Sequence, residues 1–268
     1  MAHGSFTMWA RTTAVALTLP SHVSMLTGVI PVKHGIHWNE DIPLAHPYYP
    51  KVPTLFELAH KAHHTTAMVA AKTKFDTLAK PGTIDWLFVP PPKISTTEAS
   101  TRPMEQQSTT DTTASDAEVT EHALQILNSH RPDVLMIHFA SPDVAGHKYG
   151  WGTPEQLAAV ANVDICLGQI LNLDRSLGLA PQTAIIVTSD HGGAGLTHGA
   201  DDERSRNIPW IICGSGIRQN YDLTRLQSLT VNTYDTFATA CWLLAIPQPL
   251  GIDGKAIVEI LPTREMLK

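Results

Sequence analysis

Two short, continuous apolar runs that lead straight into Asp/His clusters constrain this chain more than any other feature. They are Asp133–Ala140 (DVLMIHFA) and Thr183–Ser189 (TAIIVTS). Similar runs follow at Ile208–Cys213 (IPWIIC) and, more weakly, at Thr65–Ala70. Apolar runs without alternation suit strands buried on both faces, as in a parallel sheet. Helix-period stretches separate them. Pro53–His63 spaces Leu55, Leu58 and Ala59 along one face. Asp116–Ser129 opens with a cap and an acidic first turn, and Thr153–Leu171 opens with Thr153 as N-cap and Pro154 behind it. Asn232–Leu244 is a further helix. This alternation predicts an α/β fold, a mostly parallel central sheet with helices on both faces.

The 268 residues are enough for a sizeable core, and one domain over 1–268 is the simplest organisation. Within it, residues 90–115 (PPPKISTTEASTRPMEQQSTTDTTAS) are rich in Pro, Ser and Thr and lack an apolar period, so they read as a long surface loop. No strand is evident in the opening MAHGSFTMWARTTAVAL, and the sheet is therefore expected to lack its first strand.

The net charge of -6 comes without a Lys/Arg run, which gives nucleic-acid binding through phosphate neutralisation little support. No apolar run reaches the roughly 18–20 residues of a membrane span, and no signal-peptide pattern opens the chain. Localisation and oligomeric state are not written in the sequence. Cys166, Cys213 and Cys241 are far apart and read as buried small hydrophobes rather than a disulfide framework.

Fourteen histidines are the compositional oddity. Four motifs carry the chemistry. In TLPSHVSMLTG, Thr18 stands at the start of a helix that Gly28 closes, where exposed N–H groups favour anions. Its plainer reading is an N-cap. In SPDVAGH, Asp143 and His147 follow a strand on a short Gly-containing loop and offer an oxygen and a nitrogen suited to zinc. In SDHGG, Asp190 and His191 end another strand, relaxed by two glycines. His198, in THG, is weak evidence alone. A solvated polar side chain is the plainer reading of each of these in isolation. Together they are the parts of a two-metal phosphoryl-transfer site.

The order TLPSHVSMLTGVIPVKHGI, SPDVAGH, TSDHGG, THG resembles the alkaline phosphatase superfamily, in particular its type I phosphodiesterase/nucleotide pyrophosphatase branch, with sulfatases as relatives. The likeness runs from about Phe6 to Leu261. It implies Thr18 as the nucleophile that is transiently phosphorylated. It also implies Asp143, His147 and His198 as ligands of one zinc, Asp190 and His191 as ligands of another, and Asn39 (HGIHWN) as a phosphoryl-oxygen donor. Two zinc ions and a phosphate-ester substrate follow from the resemblance.

One family feature is not found before Thr18: a strand ending in Asp-Gly, whose aspartate is a further ligand. One zinc site alone, and a catalytically impaired metal- or phosphate-binding relative, is therefore the alternative reading. Asp201 and Asp202 are conceivable replacements, with a solvated pair the plainer reading. Sulfate-ester hydrolysis ranks below phosphate-ester hydrolysis, because Thr18 cannot become formylglycine as the Cys or Ser of sulfatases does.

Overall fold

The computed structural model describes residues 2–39, 48–91, 112–199 and 201–262. Most of the Pro/Ser/Thr-rich loop, at 92–111, lies outside the described residues. In chain order the elements are β1 (Gly4–Arg11), α1 (Thr18–Thr27), α2 (Pro31–His34), α3 (Leu55–Lys61), β2 (Thr66–Ala70) and β3 (Trp86–Phe88). Then come α4 (Asp116–His130), β4 (Val134–His138), α5 (Ser141–Tyr149), α6 (Pro154–Ser176), β5 (Ala184–Thr188), α7 (Glu203–Arg206), β6 (Asn207–Gly214), β7 (Tyr221–Asp222) and α8 (Asp235–Leu243).

The α/β class holds, and the strands are partly parallel. One sheet, ordered β3-β2-β4, is wholly parallel. The other, β5-β6-β1-β7, has β6 antiparallel to both neighbours and β1 parallel to β7. β4 and β5 are each the end strand of their sheet among the described residues. Their side chains are mostly half-buried in spite of the apolar sequences VLMIH and AIIVT.

β2 explains why its sequence does not alternate. Met68 and Ala70 face a core made by Leu19 and Val23 of α1, Phe56 of α3 and Phe237 of α8. Ala67 and Val69 face the opposite core, with Val119 and Ile126 of α4 and Ile170 of α6. Successive strand side chains point to opposite faces, so a strand covered on both sides is apolar throughout. A third core, with Ile208, Trp210 and Ile212 of β6, belongs to the second sheet.

The expectation of no strand before Thr18 is corrected by β1, which pairs with β6 from Gly4↔Cys213 to Arg11↔Asn207. Its ladder is interrupted by a register shift between Thr7 and Ala10, and Met8 and Trp9 are exposed. That irregularity is why the segment lacks a clean apolar pattern. β1 runs on into Thr12 and Thr13, not into Asp-Gly.

α1 is buried along its whole length. Gly28 ends it at φ 72° and donates its N–H to Ser24 O. A Cβ there would also lie 2.5 Å from the Phe237 ring, so two constraints select glycine. α3 begins with a reciprocal capping box between Thr54 and Glu57. α6 is long and apolar enough to cross a membrane by length and composition. It carries Asp164, Asp174 and Arg175, and its inner stripe packs on α4 and α5. The three cysteines are free; Cys166 and Cys241 are buried, and Cys213 is half-buried.

His34 makes folding depend on pH. Its ring is buried, with Nδ1 accepting from Ile36 N–H at 3.1 Å and Nε2 3.1 Å from Ser24 Oγ. Burial pushes its pKa down to about 4. The unfolded chain binds that proton below about pH 6.5, while the folded chain refuses it until about pH 4. The neutral ring's contribution is therefore complete above pH 6.5 and is lost as pH falls through this window. The loss is bounded at about 3 kcal/mol. Urea denaturation at pH 7 and pH 5 should show the drop, and His34→Gln should reduce it, the buried His22 and His138 contributing the remainder. An unchanged pH slope in the variant would remove His34 as the cause.

Candidate metal centre

The two site clusters follow β4 and β5. Asp143 and His147 lie on α5 and not on a loop, which corrects the expectation. Four residues apart, they share one helix face. Gly146 of the same motif is where Trp151 packs: a Cβ there would meet its ring at 2.7 Å. Gly193 is in the same position from the other cluster, with the Trp151 ring at 2.3 Å from a Cβ, and Gly192 would meet Arg204 O at 2.2 Å. The glycines of both motifs serve close approach more than backbone freedom. Trp151 is thereby wedged between the clusters, edge-on to His147 with centroids 5.0 Å apart.

Three imidazoles converge on one carboxylate oxygen. Asp143 Oδ1 lies 3.4 Å from His147 Nε2, 3.6 Å from His198 Nε2 and 3.8 Å from His191 Nε2. It is buried and has no hydrogen-bond partner. The other oxygen, Oδ2, accepts from Lys72 Nζ at 2.6 Å. Burial would raise the Asp143 pKa, but the Lys72 ammonium holds it below the usual carboxylate value.

The far nitrogen of each ring faces a backbone carbonyl. His147 Nδ1 is 3.0 Å from Leu196 O, His191 Nδ1 2.9 Å from Gly192 O, and His198 Nδ1 2.7 Å from Ala16 O. A carbonyl accepts, so each Nδ1 carries the hydrogen, and each Nε2 turns a lone pair toward Asp143. His147 Nε2 and His198 Nε2 stand 3.1 Å apart. Two lone pairs and a buried carboxylate oxygen without a donor are poorly matched to one another and well matched to a cation between them. Among the described residues, Asp143, His147 and His198 are the group of three whose ligand atoms fall within 4.8 Å of one another. Nitrogen and oxygen donors of this kind suit zinc.

Asp190 sits beside this group. Its Oδ2 is 3.3 Å from His191 Nε2 and 3.5 Å from His22 Nδ1. Burial opposes its charge, yet His191, His22 and His138 together keep it ionised far below the ordinary range. His22 and His138 are buried, and that burial depresses their pKa values. Asp201 and Asp202 do not join the site: they pair with Arg206 at 2.9 Å and Arg204 at 2.7 Å.

Thr18 is at this centre. Its Oγ1 lies 3.3 Å from His191 Nε2. The helix N-cap is Leu17, without a side-chain cap bond, so the plainer reading of Thr18 as a cap does not describe it. Asn39 Oδ1 accepts from Leu19 N–H at 2.9 Å, which fixes the asparagine at the start of α1. Thr12 ties the region together: its hydroxyl donates to Asp190 O, and its oxygen lies 3.0 Å from Ser21 Oγ. Thr18, Asn39, Asp143, His147 and His198 line one cavity of about 390 Å³, together with Lys72, Lys74, Thr113, Val144 and Lys148. Sequence reasoning passed over Lys72 and Lys74. Their one signal was position, directly behind the buried strand β2.

A partly parallel sheet that gathers Asp and His at its strand ends, beside a threonine at a helix start, is the architecture of the alkaline phosphatase superfamily. Residues 1–205 match the family model described as Type I phosphodiesterase / nucleotide pyrophosphatase, and the chain belongs to that family. Among solved structures, murine ectonucleotide pyrophosphatase / phosphodiesterase 5 aligns with a TM-score of 0.73 at 14% identity, over 97% of this chain and 92% of that one. A 2-O GAG sulfatase aligns with a TM-score of 0.68 at 16% identity, over 97% and 67%. Of curated relatives, the 2,3-bisphosphoglycerate-independent phosphoglycerate mutase of Thiobacillus denitrificans is 28% identical over 148 residues, 53% of this chain and 26% of the mutase. Arylsulfatase K of Bos taurus is 32% identical over 106 residues, 38% of this chain and 19% of the sulfatase. The chain thus spans under a third of the length of these curated relatives.

Proposed function

We propose that the chain is a zinc-dependent phosphoric ester hydrolase working through a phosphothreonine at Thr18. The observation that carries this is the buried, donorless Asp143 Oδ1, ringed by three imidazole nitrogens beside the Thr18 hydroxyl. Asp143, His147 and His198 would hold one zinc, and Asp190 and His191 a second. The metal would supply Lewis acidity toward the nucleophile and the leaving oxygen.

The chain's own groups do the rest. Thr18 Oγ1 attacks phosphorus as the bond to the ester oxygen breaks; the threonine proton goes to solvent and the departing alcohol takes one up. Water then cleaves the phosphothreonine, releasing phosphate or a monoester and restoring the hydroxyl. Asn39, its Oδ1 committed to Leu19 N–H, would turn its amide donors to a phosphoryl oxygen, where a preorganised donor stabilises developing charge.

A second reading, an impaired metal- or phosphate-binding relative, is favoured by one observation: among the described residues, the group of three that could hold a metal is Asp143, His147 and His198, and the Asp190–His191 pair is not part of such a group. Zinc content by mass spectrometry, with turnover of an aryl phosphate and an aryl sulfate, tests both. Zinc-dependent phosphate release is expected. One bound zinc without turnover supports the second reading, and sulfate release without phosphate release would reverse the preference over sulfatase chemistry.

A further inference from the structure

Trp151 is built into the metal centre although an indole offers no lone pair to a cation. It lies just past α5, where Gly150 turns the chain back at φ 107°. Its ring stands edge-on to two imidazoles. The centroids are 5.0 Å apart at 85° for His147 and 5.8 Å apart at 68° for His198. Those histidines belong to different segments, 51 residues apart in sequence. The ring is seated from both sides, because Gly146 of α5 and Gly193 beyond β5 carry no Cβ where one would lie 2.7 and 2.3 Å from it. Its backbone N–H also donates to Gly195 O at 2.9 Å. The next residue, Leu196, offers the carbonyl that faces His147 Nδ1, and the Ala194–Thr197 bridge closes this turn just before His198. Trp151 thus joins the α5 half of the ligand group to the half that follows β5.

The ligand group needs such a brace. The His147 side chain is 46% exposed, so burial alone does not hold its ring. Its Nε2 stands 3.1 Å from His198 Nε2, and two lone pairs at that distance push the rings apart until a cation lies between them. The contact with Leu196 O fixes one nitrogen of His147 and leaves the ring free to swing about it. A rigid indole plane against His147 and His198 removes that freedom. Taking the zinc reading as its basis, we infer that Trp151 is a positioning residue, whose ring holds His147 and His198 in ligating orientation before the cation arrives. Side chains that orient ligands without touching the metal set its affinity in this way.

Zinc affinity of the full chain, measured by chelator competition, provides the test. Trp151→Met keeps apolar bulk but loses the rigid plane, and should weaken zinc by about 10–100-fold. Trp151→Phe keeps a planar ring and should stay within about threefold of wild type. Thermal denaturation of the metal-free proteins separates the roles: a merely structural tryptophan would lower the midpoint and leave the zinc affinity of the folded protein unchanged. Zinc affinity in Trp151→Met within about threefold of wild type would overturn the inference while leaving the zinc reading intact. Weakening of Trp151→Phe by about tenfold or more would do the same, and that outcome can be read even where the methionine variant does not fold. No zinc binding by the wild-type protein would overturn both.

Discussion

Thr18→Ala is expected to lower aryl phosphate turnover by about 10³-fold or more while leaving the fold in place. The size of the effect follows from the covalent step. Without Oγ1 no phosphothreonine forms, and acid-quenched protein examined by intact mass should lack the phosphorylated species seen in the wild type. The small structural effect follows from geometry. Thr18 does not cap α1, and its hydroxyl makes one long contact, 3.3 Å to His191 Nε2, so the cost to stability should stay below about 1 kcal/mol. Zinc content should be unchanged, since Asp143, His147 and His198 do not depend on the threonine hydroxyl. The adjacent serines are poor substitutes. Ser21 is fully buried in hydrogen bonds with Thr12 and Thr13, and Ser24 is buried against His34. Turnover in Thr18→Ala within about threefold of wild type would therefore remove Thr18 as the nucleophile, and Thr113, which lines the same cavity, would be the next hydroxyl to test.

The chemistry of this chain was more legible in its sequence than the backbone that carries it. The runs DVLMIHFA and TAIIVTS announce β4 and β5 because both are continuous and apolar, and the Asp/His clusters behind them stand out against that background. Gly28 and Pro20 frame α1 unmistakably. What escaped was structure set by distant partners. β1 is held by long-range pairing to β6 across a register irregularity, so its own residues show no regular pattern. SPDVAGH contains a proline and a glycine and reads as a loop; it is a helix because proline is accommodated in the first turn and Gly146 is needed under Trp151. Lys72 and Lys74 look like ordinary surface lysines until β2, Asn39 and α5 are brought together around them. Asp143's two oxygens, one facing imidazoles and one facing an ammonium, are a tertiary fact that no local spacing encodes.

That division of labour between the oxygens makes Asp143→Asn the second decisive variant. The amide has nearly the same shape and removes the charge. Oδ1 is the atom toward which His147, His191 and His198 point, so zinc affinity should fall by about 10²–10³-fold, a share of the binding free energy typical for one of three protein ligands. Chelator competition measures it. The same substitution strips Lys72 of its counter-charge where its side chain is 8% exposed. Breaking a buried pair from one side destabilises by about 3 kcal/mol, and urea denaturation of metal-free protein should report a loss of that order. The two effects separate in the double variant Asp143→Asn/Lys72→Met. Removing both charges should restore most of the stability, because no uncompensated ion remains buried. Zinc affinity should stay low, because the carboxylate charge is not returned to the ligand position. Wild-type zinc affinity in Asp143→Asn would mean that the three imidazoles face this carboxylate for a reason other than metal binding, and recovery of zinc binding in the double variant would assign the loss to misfolding around Lys72.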